Sequence, residues 1–583
     1  MSPLFQCHRV THSVGTKKLF ESLDLSIGER DRIGLVGHNG SGKSTLLSII
    51  NNSVEPDDGD VSRSKQLHME TVEQFIDPSL AGLTLAGALA EKLVDEEKDF
   101  SLYKVEQLLN QLGFQTKEHG YQVADLSGGQ QNRLMFARAV IDEPNLILFD
   151  EPTNHLDLKT LIFFENFLAT IDAGYLLISH DRHFLDAVTN RTLFLRDQKL
   201  YNFAMPYTAA KEKLDAQDEA AEARLKQEEK TIRGLAESAK RLATWGKVYD
   251  NEKLAKKAKT MEKRIEKLEE NKTFVSKGSN LNLTLDVQSS RANRMLHIED
   301  QTIYSPGNVP AKLFYIEEFY IRPGDRVALL GFNGVGKTTL IKQMIDRYEN
   351  DKAGDTFKFN PQCDIGYYDQ EINDLDADRT LIETLRDHCH RGSENEYKTS
   401  LIKAGFPYLD LDKTVGVLSG GERARLLFLI IKLNQPNFLI LDEPTNHIDI
   451  QGKEELEQQI LETNATVLIT SHDRRFVDTI ADRYIVINGG KLTEINSPDW
   501  FYKLNPLQQA IPDETHREHA DRNTSGESSV DEENILYRIV ELESLLEQDR
   551  ARKRKFQKPK RQQSWVEELA ELNGLLGSDA KPG

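Results

Sequence analysis

Two stretches of the chain set a lysine and a hydroxyl behind a glycine-rich turn: GHNGSGKS at Gly37–Ser44 and GFNGVGKT at Gly331–Thr338. Such turns let backbone N–H groups close on phosphate oxygens, and a helix that starts there adds the positive end of its dipole. The first cradle is Gly37, His38, Asn39, Gly40, Ser41 and Gly42; the second is Gly331, Phe332, Asn333, Gly334, Val335 and Gly336. Lys43 and Lys337 are placed for β/γ-phosphates, Ser44 and Thr338 for Mg²⁺, and Thr45 and Thr339 extend each binding set. A second pair, DEPTNHLD at Asp150–Asp157 and DEPTNHID at Asp442–Asp449, opens on two acids. Asp150 and Asp442 suit a magnesium shell, while Glu151 and Glu443 suit orienting or deprotonating an attacking water. His180 and His472 each follow an apolar run directly, as candidate γ-phosphate contacts. Ser127, Gly128 and Gly129, like Ser419, Gly420 and Gly421, offer a hydroxyl and bare N–H groups ahead of a helical run.

The elements that must position these groups are themselves duplicated. RIGLVG and RVALLG are apolar strands before the two phosphate loops, and TLLSII and TLIKQM are helical runs after them. That strand–loop–helix context is what the phosphate-loop motif requires. LILFDE and FLILDE are strands tipped with the acid pairs. Lys43 and Lys337 stand 294 positions apart; Ser127/Ser419, Asp150/Asp442 and His180/His472 each stand 292 apart, and Gln74/Gln370 296. One domain is written twice.

Bulk properties narrow the class. A chain of 583 residues exceeds one hydrophobic core, so several domains are expected. No apolar run approaches the roughly 18–20 residues of a membrane helix. The opening MSPLFQCHRV lacks the basic flank and apolar stretch of a secretory leader. Cys7, Cys363 and Cys389 have no paired spacing, which points to buried or incidental thiols in a reducing compartment. With a net charge of −20 the body repels nucleic acid, so any such contact needs a local patch of opposite sign.

In both halves the order of phosphate loop, glutamine, LSGG, acid-tipped strand and histidine resembles tandem ATP-binding-cassette proteins, and the PTNH loops resemble the ABC-F family in particular. The resemblance implies an α/β fold: two phosphate-loop cassettes (1–204 and 281–504) joined by a long α-helical hairpin linker (205–280). A tether (505–533) and a small C-terminal helical hairpin (534–583) would follow. It implies ATP and Mg²⁺ as ligands, with Gln74 and Gln370 joining the metal shell. Each ATP would lie between one cassette's phosphate loop and the other's LSGG segment. Asn154, His155 and Asp157, with their second-half counterparts, would sit at that seam. Family members stack an aromatic residue on adenine; Tyr304 serves in the second half, but Ser13, Val14 and Gly15 occupy the first, which leaves base selectivity there open. Between Gln74 and Leu126 there is no room for the arm that several members insert.

What does not repeat carries the rest. Residues 207–272 are charged and nearly free of glycine and proline. Leu225, Ile232, Leu235, Ala239 and Leu242 form one helical stripe; Leu254, Ala258, Met261, Ile265 and Leu268 form another, with Trp245-Gly246 as the expected turn. Lys240–Lys267 holds ten basic residues against four acids, inverting the sign of the whole protein. Lys247, Lys253, Lys256, Lys257 and Lys259 are therefore candidate RNA contacts. A second basic run, Arg550–Arg561, lies between two short apolar stripes and is a candidate contact for ribosomal or branched nucleic acid. The expected protein is a cytoplasmic, monomeric Mg-dependent ATPase. The resemblance implies binding at the ribosomal exit site, with the hairpin directed at peptidyl tRNA, to modulate translation. Alternatives are the ATPase subunit of a transporter with separate membrane subunits, or a DNA-associated ATPase acting through the C-terminal basic hairpin.

Overall fold

The computed structural model describes Pro3 to Lys503, apart from 73–75, 94–97, 127, 154–155, 157, 249–251, 271–293, 307–309, 351–355, 370–374, 390–391, 447 and 464, together with 562, 565, 566 and 569. It divides into two compact units: Met1–Thr153 with Phe164–Asn280, and Asn154–Phe163 with Leu281–Gly583.

In the first unit β1 (Phe5–Val14) pairs antiparallel with β2 (Lys17–Ile27). Next come β3 (Arg32–Val36), β4 (Asp58–Arg63), β5 (Met69–Val72), β6 (Leu146–Asp150), β7 (Gly174–Ile178), β8 (Arg191–Arg196) and β9 (Lys199–Phe203). A three-stranded sheet, β2-β1-β4, accompanies a six-stranded one in the order β5-β6-β7-β3-β8-β9. Its central strands are nearly all apolar and buried, as strands covered on both faces must be. The second unit repeats the plan with β10 (Leu296–Tyr304), β11 (Lys312–Ile321), β12 (Arg326–Leu330), β13 (Phe357–Phe359), β14 (Ile365–Tyr368), β15 (Phe438–Asp442), β16 (Thr466–Thr470), β17 (Arg483–Asn488) and β18 (Lys491–Ile495). Here the strands form one nine-stranded sheet, β13-β10-β11-β18-β17-β12-β16-β15-β14, whose run β14-β15-β16-β12-β17-β18 matches the six-stranded sheet of the first unit strand for strand. In each, the strand before the phosphate loop pairs in parallel with the one that precedes the histidine. Among the described residues no helix is long and apolar enough to cross a membrane. All three cysteines are buried; burial pushes the Cys7 and Cys389 thiols up to about 11.

After β9 the chain leaves the first cassette as one helix of 42 residues, Tyr207–Val248, about 60 Å long at 1.5 Å per residue. A second helix, Glu252–Glu270, folds back along it. Ile232, Ala239 and Ala258 are buried in the seam, and Leu225, Leu235, Leu242, Leu254, Met261, Ile265 and Leu268 are half-buried. The turn is not where the sequence placed it: Trp245 and Gly246 continue the helix to Val248. One glycine in a helix costs only about 1 kcal/mol, too little by itself to end it. Most of the C-terminal segment, including Arg550–Arg561, lies outside the described residues; Trp565 within it is buried.

The arm is rooted by a compact set of contacts. Tyr207 is buried against Phe194, ring centroids 6.0 Å apart. The Thr208 amide donates to Asp186 Oδ1 at 2.7 Å, and its hydroxyl donates to the other carboxylate oxygen. One helical stretch further along, Arg196 grips Asp218 with two bonds of 2.6 Å while its guanidinium lies over Tyr201. Parallel bidentate bonds fix direction as well as distance. Replacing Asp218 with alanine should therefore loosen the arm's base by about 1–2 kcal/mol, allowing for the pair's partial exposure. Hydrogen exchange over residues 207–220 should quicken about 5- to 30-fold with β3 and β7 unchanged; unaltered exchange would show that the pair anchors nothing.

Candidate active site

Each phosphate loop emerges from the C-terminal end of a central parallel strand and turns into a helix, Lys43–Ile50 or Lys337–Asn350. Gly42 and Gly336 have φ of 100° and 105°, a left-handed conformation open to glycine. Space forbids a side chain as well: a Cβ at Gly42 would come within 2.8 Å of Phe20, and one at Gly336 within 2.8 Å of Leu313. Lys43 Nζ donates to the carbonyls of Gly37 (2.8 Å) and His38 (3.3 Å); Lys337 does the same to Gly331 (2.8 Å) and Phe332 (3.3 Å). Both lysines thus curl over their own loops, with the ammonium held where phosphate oxygens would lie.

The acid pairs end β6 and β15. In parallel register Asp150 stands beside Ile178 and Asp442 beside Thr470, so the acids and the histidines two positions further on share one edge. Burial raises the pKa of Asp150, opposed by the Ser44 hydroxyl and by Lys43. Asp442, fully buried, is likewise raised by burial, with Thr470, Thr338 and Lys337 working against the rise. Its Oδ1 accepts a hydrogen bond of 2.5 Å from Thr470, while Oδ2 makes none of good geometry among the described residues. A buried carboxylate with an unused oxygen beside a hydroxyl fits a hard, oxygen-seeking cation such as Mg²⁺. Ser44 and Asp150 provide the matching set in the first cassette.

Glu151 and Glu443 both have φ of 49°, a left-handed conformation unusual for glutamate. Backbone bonds impose it: the Glu443 amide donates to Thr470 O (3.0 Å), and the Glu151 amide to Ile178 O (3.0 Å). Strain of this kind collects at functional sites. It turns each carboxylate toward the histidine: His180 Nε2 lies 3.0 Å from Glu151 Oε1, and His472 Nε2 lies 3.4 Å from Glu443 Oε1. His472 Nε2 also lies 2.9 Å from Asn333 Oδ1, linking the phosphate loop to the histidine. The sequence reading overlooked that bond, although an asparagine at the third position of both loops, Asn39 and Asn333, was a signal for it.

Gly128 and Gly129 begin one helix, Gly128–Val140. Ser419 caps the other, Gly420–Asn434, in a capping box with Glu422. Asp449 caps the helix Ile450–Glu462. Gln74, Gln370, Ser127, Asn154, His155 and Asp157 lie outside the described residues. Tyr304 stands at the end of β10 with its ring 48% exposed. Lys253, Lys256, Lys257 and Lys259 are exposed on the arm; the Lys247 side chain lies outside the description.

Two doubly wound sheets, each delivering a phosphate loop, an acid pair and a histidine to one edge, define a tandem phosphate-loop ATPase. A family model described as ABC transporter matches residues 20–154 and 317–446. The chain is 30% identical over 558 residues to the putative ATP-binding protein YdiF of Bacillus subtilis, covering 89% of this chain and 85% of that protein. It is 30% identical to ABC transporter F family member 5 of Arabidopsis thaliana (84% and 75% covered) and 28% identical to the ribosome protection protein VmlR of Bacillus subtilis (85% and 89% covered). The chain belongs to the ABC-F family of ATP-binding-cassette ATPases. Among solved structures, an archaeal ribosome recycling factor, aABCE1, in complex with the ribosomal stalk protein aP1 shares the fold at a TM-score of 0.55 and 19% identity, with 83% of this chain and 89% of that chain covered.

Replacing Glu151 and Glu443 together with glutamine should leave ATP binding intact and lower phosphate release by about 100-fold or more, the usual scale of a lost general base. Equilibrium binding of labelled ATP beside a phosphate-release assay checks both halves; undiminished release would remove these residues from the chemistry.

Proposed function

We propose that this ATPase acts on the ribosome, with each of its two sites hydrolysing ATP and the helical arm as the effector. Lys43 and Lys337, with the backbone amides of their loops, hold the phosphates. Ser44 and Asp150, and Thr338 and Asp442, hold Mg²⁺, whose contribution is to neutralise charge on the phosphate oxygens. Glu151 and Glu443 orient and deprotonate the attacking water, and His180 and His472 hold those carboxylates in place and approach the γ-phosphate. In this reading each nucleotide is closed over by the opposite cassette's LSGG segment, Ser127–Gly129 or Ser419–Gly421, with Gln74 and Gln370 completing the metal shells. ATP binding closes the monomer and hydrolysis releases it.

The observation that carries the ribosomal part is the arm. It is a helix about 60 Å long, paired over its outer part with a returning helix of 19 residues that exposes Lys253, Lys256, Lys257 and Lys259 on a protein of net charge −20. Such a patch on an acidic body is suited to a polyphosphate partner, and contact with several phosphates makes affinity fall steeply with salt. The relationship to VmlR, named a ribosome protection protein, supports the choice of ribosomal RNA and tRNA over DNA or a membrane. Binding at the exit site would point the arm at peptidyl tRNA, and the protein would work in the cytoplasm.

The Glu151→Gln, Glu443→Gln protein should co-sediment with ribosomes in a sucrose gradient of cell extract when ATP is present, and far less without it. Changing Lys253, Lys256 and Lys257 to glutamine should weaken that association and flatten its salt dependence by about 3 in the slope. A trapped protein that stays at the top of the gradient, or moves with DNA or membranes, refutes the ribosomal reading and leaves the ATPase untouched.

A further inference from the structure

The strands that lead to the two histidines read LLIS before His180 and LITS before His472. They part at the position level with the acid that opens each DEPTNH segment: Ile178 stands beside Asp150, and Thr470 beside Asp442. Both side chains are fully buried. A hydroxyl sealed inside a sheet needs partners, and Thr470 has two. It donates to Asp442 Oδ1 at 2.5 Å and accepts from the Glu443 amide at 3.1 Å. Isoleucine has no polar side-chain atom, so from this position Asp150 receives no hydrogen bond.

Two tasks are open to such a hydroxyl: shaping the backbone of Glu443, or holding the carboxylate of Asp442. The first cassette decides between them. Glu151 keeps the same φ of 49° with its amide on the Ile178 carbonyl and no hydroxyl at that position. The glutamate's backbone therefore does not need Thr470, and the carboxylate is what the hydroxyl holds. A carboxylate free to turn offers a cation either oxygen or both. With Oδ1 engaged, Asp442 is fixed in one orientation, and Oδ2 is the oxygen left for metal. Mg²⁺ demands near-ideal octahedral geometry, so an acid oriented in advance gives up less freedom when the ion arrives.

We propose that Thr470 is a positioning residue for Mg²⁺ at the second site, fixing Asp442 so that one oxygen faces the metal. The first site, with Ile178 in the same place, binds its metal without that hold. The inference rests on both sites taking Mg-nucleotide, as proposed above.

Full-length protein carrying Lys43→Ala keeps the second loop for nucleotide, and protein carrying Lys337→Ala keeps the first. Binding of a fluorescent ATP analogue is followed as Mg²⁺ is titrated. In the Lys43→Ala protein, Thr470→Val preserves the shape of the side chain and removes the hydroxyl. It should raise the half-saturating Mg²⁺ concentration about tenfold, the scale of one hydrogen bond to a charged group. Turnover at saturating Mg²⁺ should stay within about twofold, since the glutamate is untouched. Thr470→Ser should restore the original requirement. In the Lys337→Ala protein, Ile178→Thr should lower the requirement. That variant adds a hydroxyl instead of removing one, so it tests the idea even if Thr470→Val melts early. A requirement unmoved by Thr470→Val or by Ile178→Thr, or a serine variant as weak as the valine one, overturns the proposal. So does lost turnover at an unchanged requirement, which would assign the hydroxyl to Glu443. A Lys43→Ala protein that binds no analogue at any Mg²⁺ concentration instead refutes nucleotide binding at the second loop, and the inference falls with it.

Discussion

Parallel pairing of β3, β6 and β7, and of β12, β15 and β16, is the constraint on which each cassette depends. Because all three strands run the same way, their C-terminal ends reach one edge of the sheet, where open α/β folds bind ligands. Register then does the assembly: Asp150 is level with Ile178, so Glu151, one step on, faces His180, two steps on. A slip by one residue would turn the acid pair to the opposite face of the sheet. The buried, continuous apolar character of these strands makes such a slip costly, since it would disturb packing on both sides.

That rigid edge also explains how two glutamates can keep a disfavoured backbone conformation. Neighbouring strands hold their amides, so the strain falls on a scaffold stable enough to bear it. The same scaffold supports the arm. The strand after the histidine's helix, β8, supplies Phe194 and Arg196, and that helix itself supplies Asp186. The helix that follows His180 and the first helix of the arm are thus joined by direct contacts in one unit.

Duplication makes the differences informative. Where the two cassettes agree, as in the lysine bonds to their loop carbonyls, the geometry serves chemistry common to both. Where they part, at the arm and at Ser13 against Tyr304, the second cassette is not a simple copy of the first. The arm is an amphipathic pair stabilised by its own seam, and its charged surface is free to be inverted in sign relative to the body because packing does not involve it.

Much of this was legible before any coordinates. Loop, acid-strand and histidine segments are short, and their chemistry needs particular residue types in a fixed order, so composition and spacing alone reveal them. The arm's stripes were equally readable, because a two-helix seam depends on local periodicity. Its turn was misjudged, since Trp245-Gly246 reads as a break but the helix continues through it to Val248; one glycine costs a helix only about 1 kcal/mol. The Asp218–Arg196 clamp, the Asn333–His472 bond and the left-handed glutamates were not readable. They depend on which strands lie side by side, a matter of long-range pairing that no local pattern encodes. The match of Ser13 with Tyr304 was partly readable: position along the chain set Ser13, Val14 and Gly15 against Tyr304, and strand register narrows the three to Ser13. The sequence by itself therefore determined the inventory of reactive groups and the doubling of the domain, while tertiary structure decided which of those groups meet, because meeting is a property of register and twist rather than of residue order.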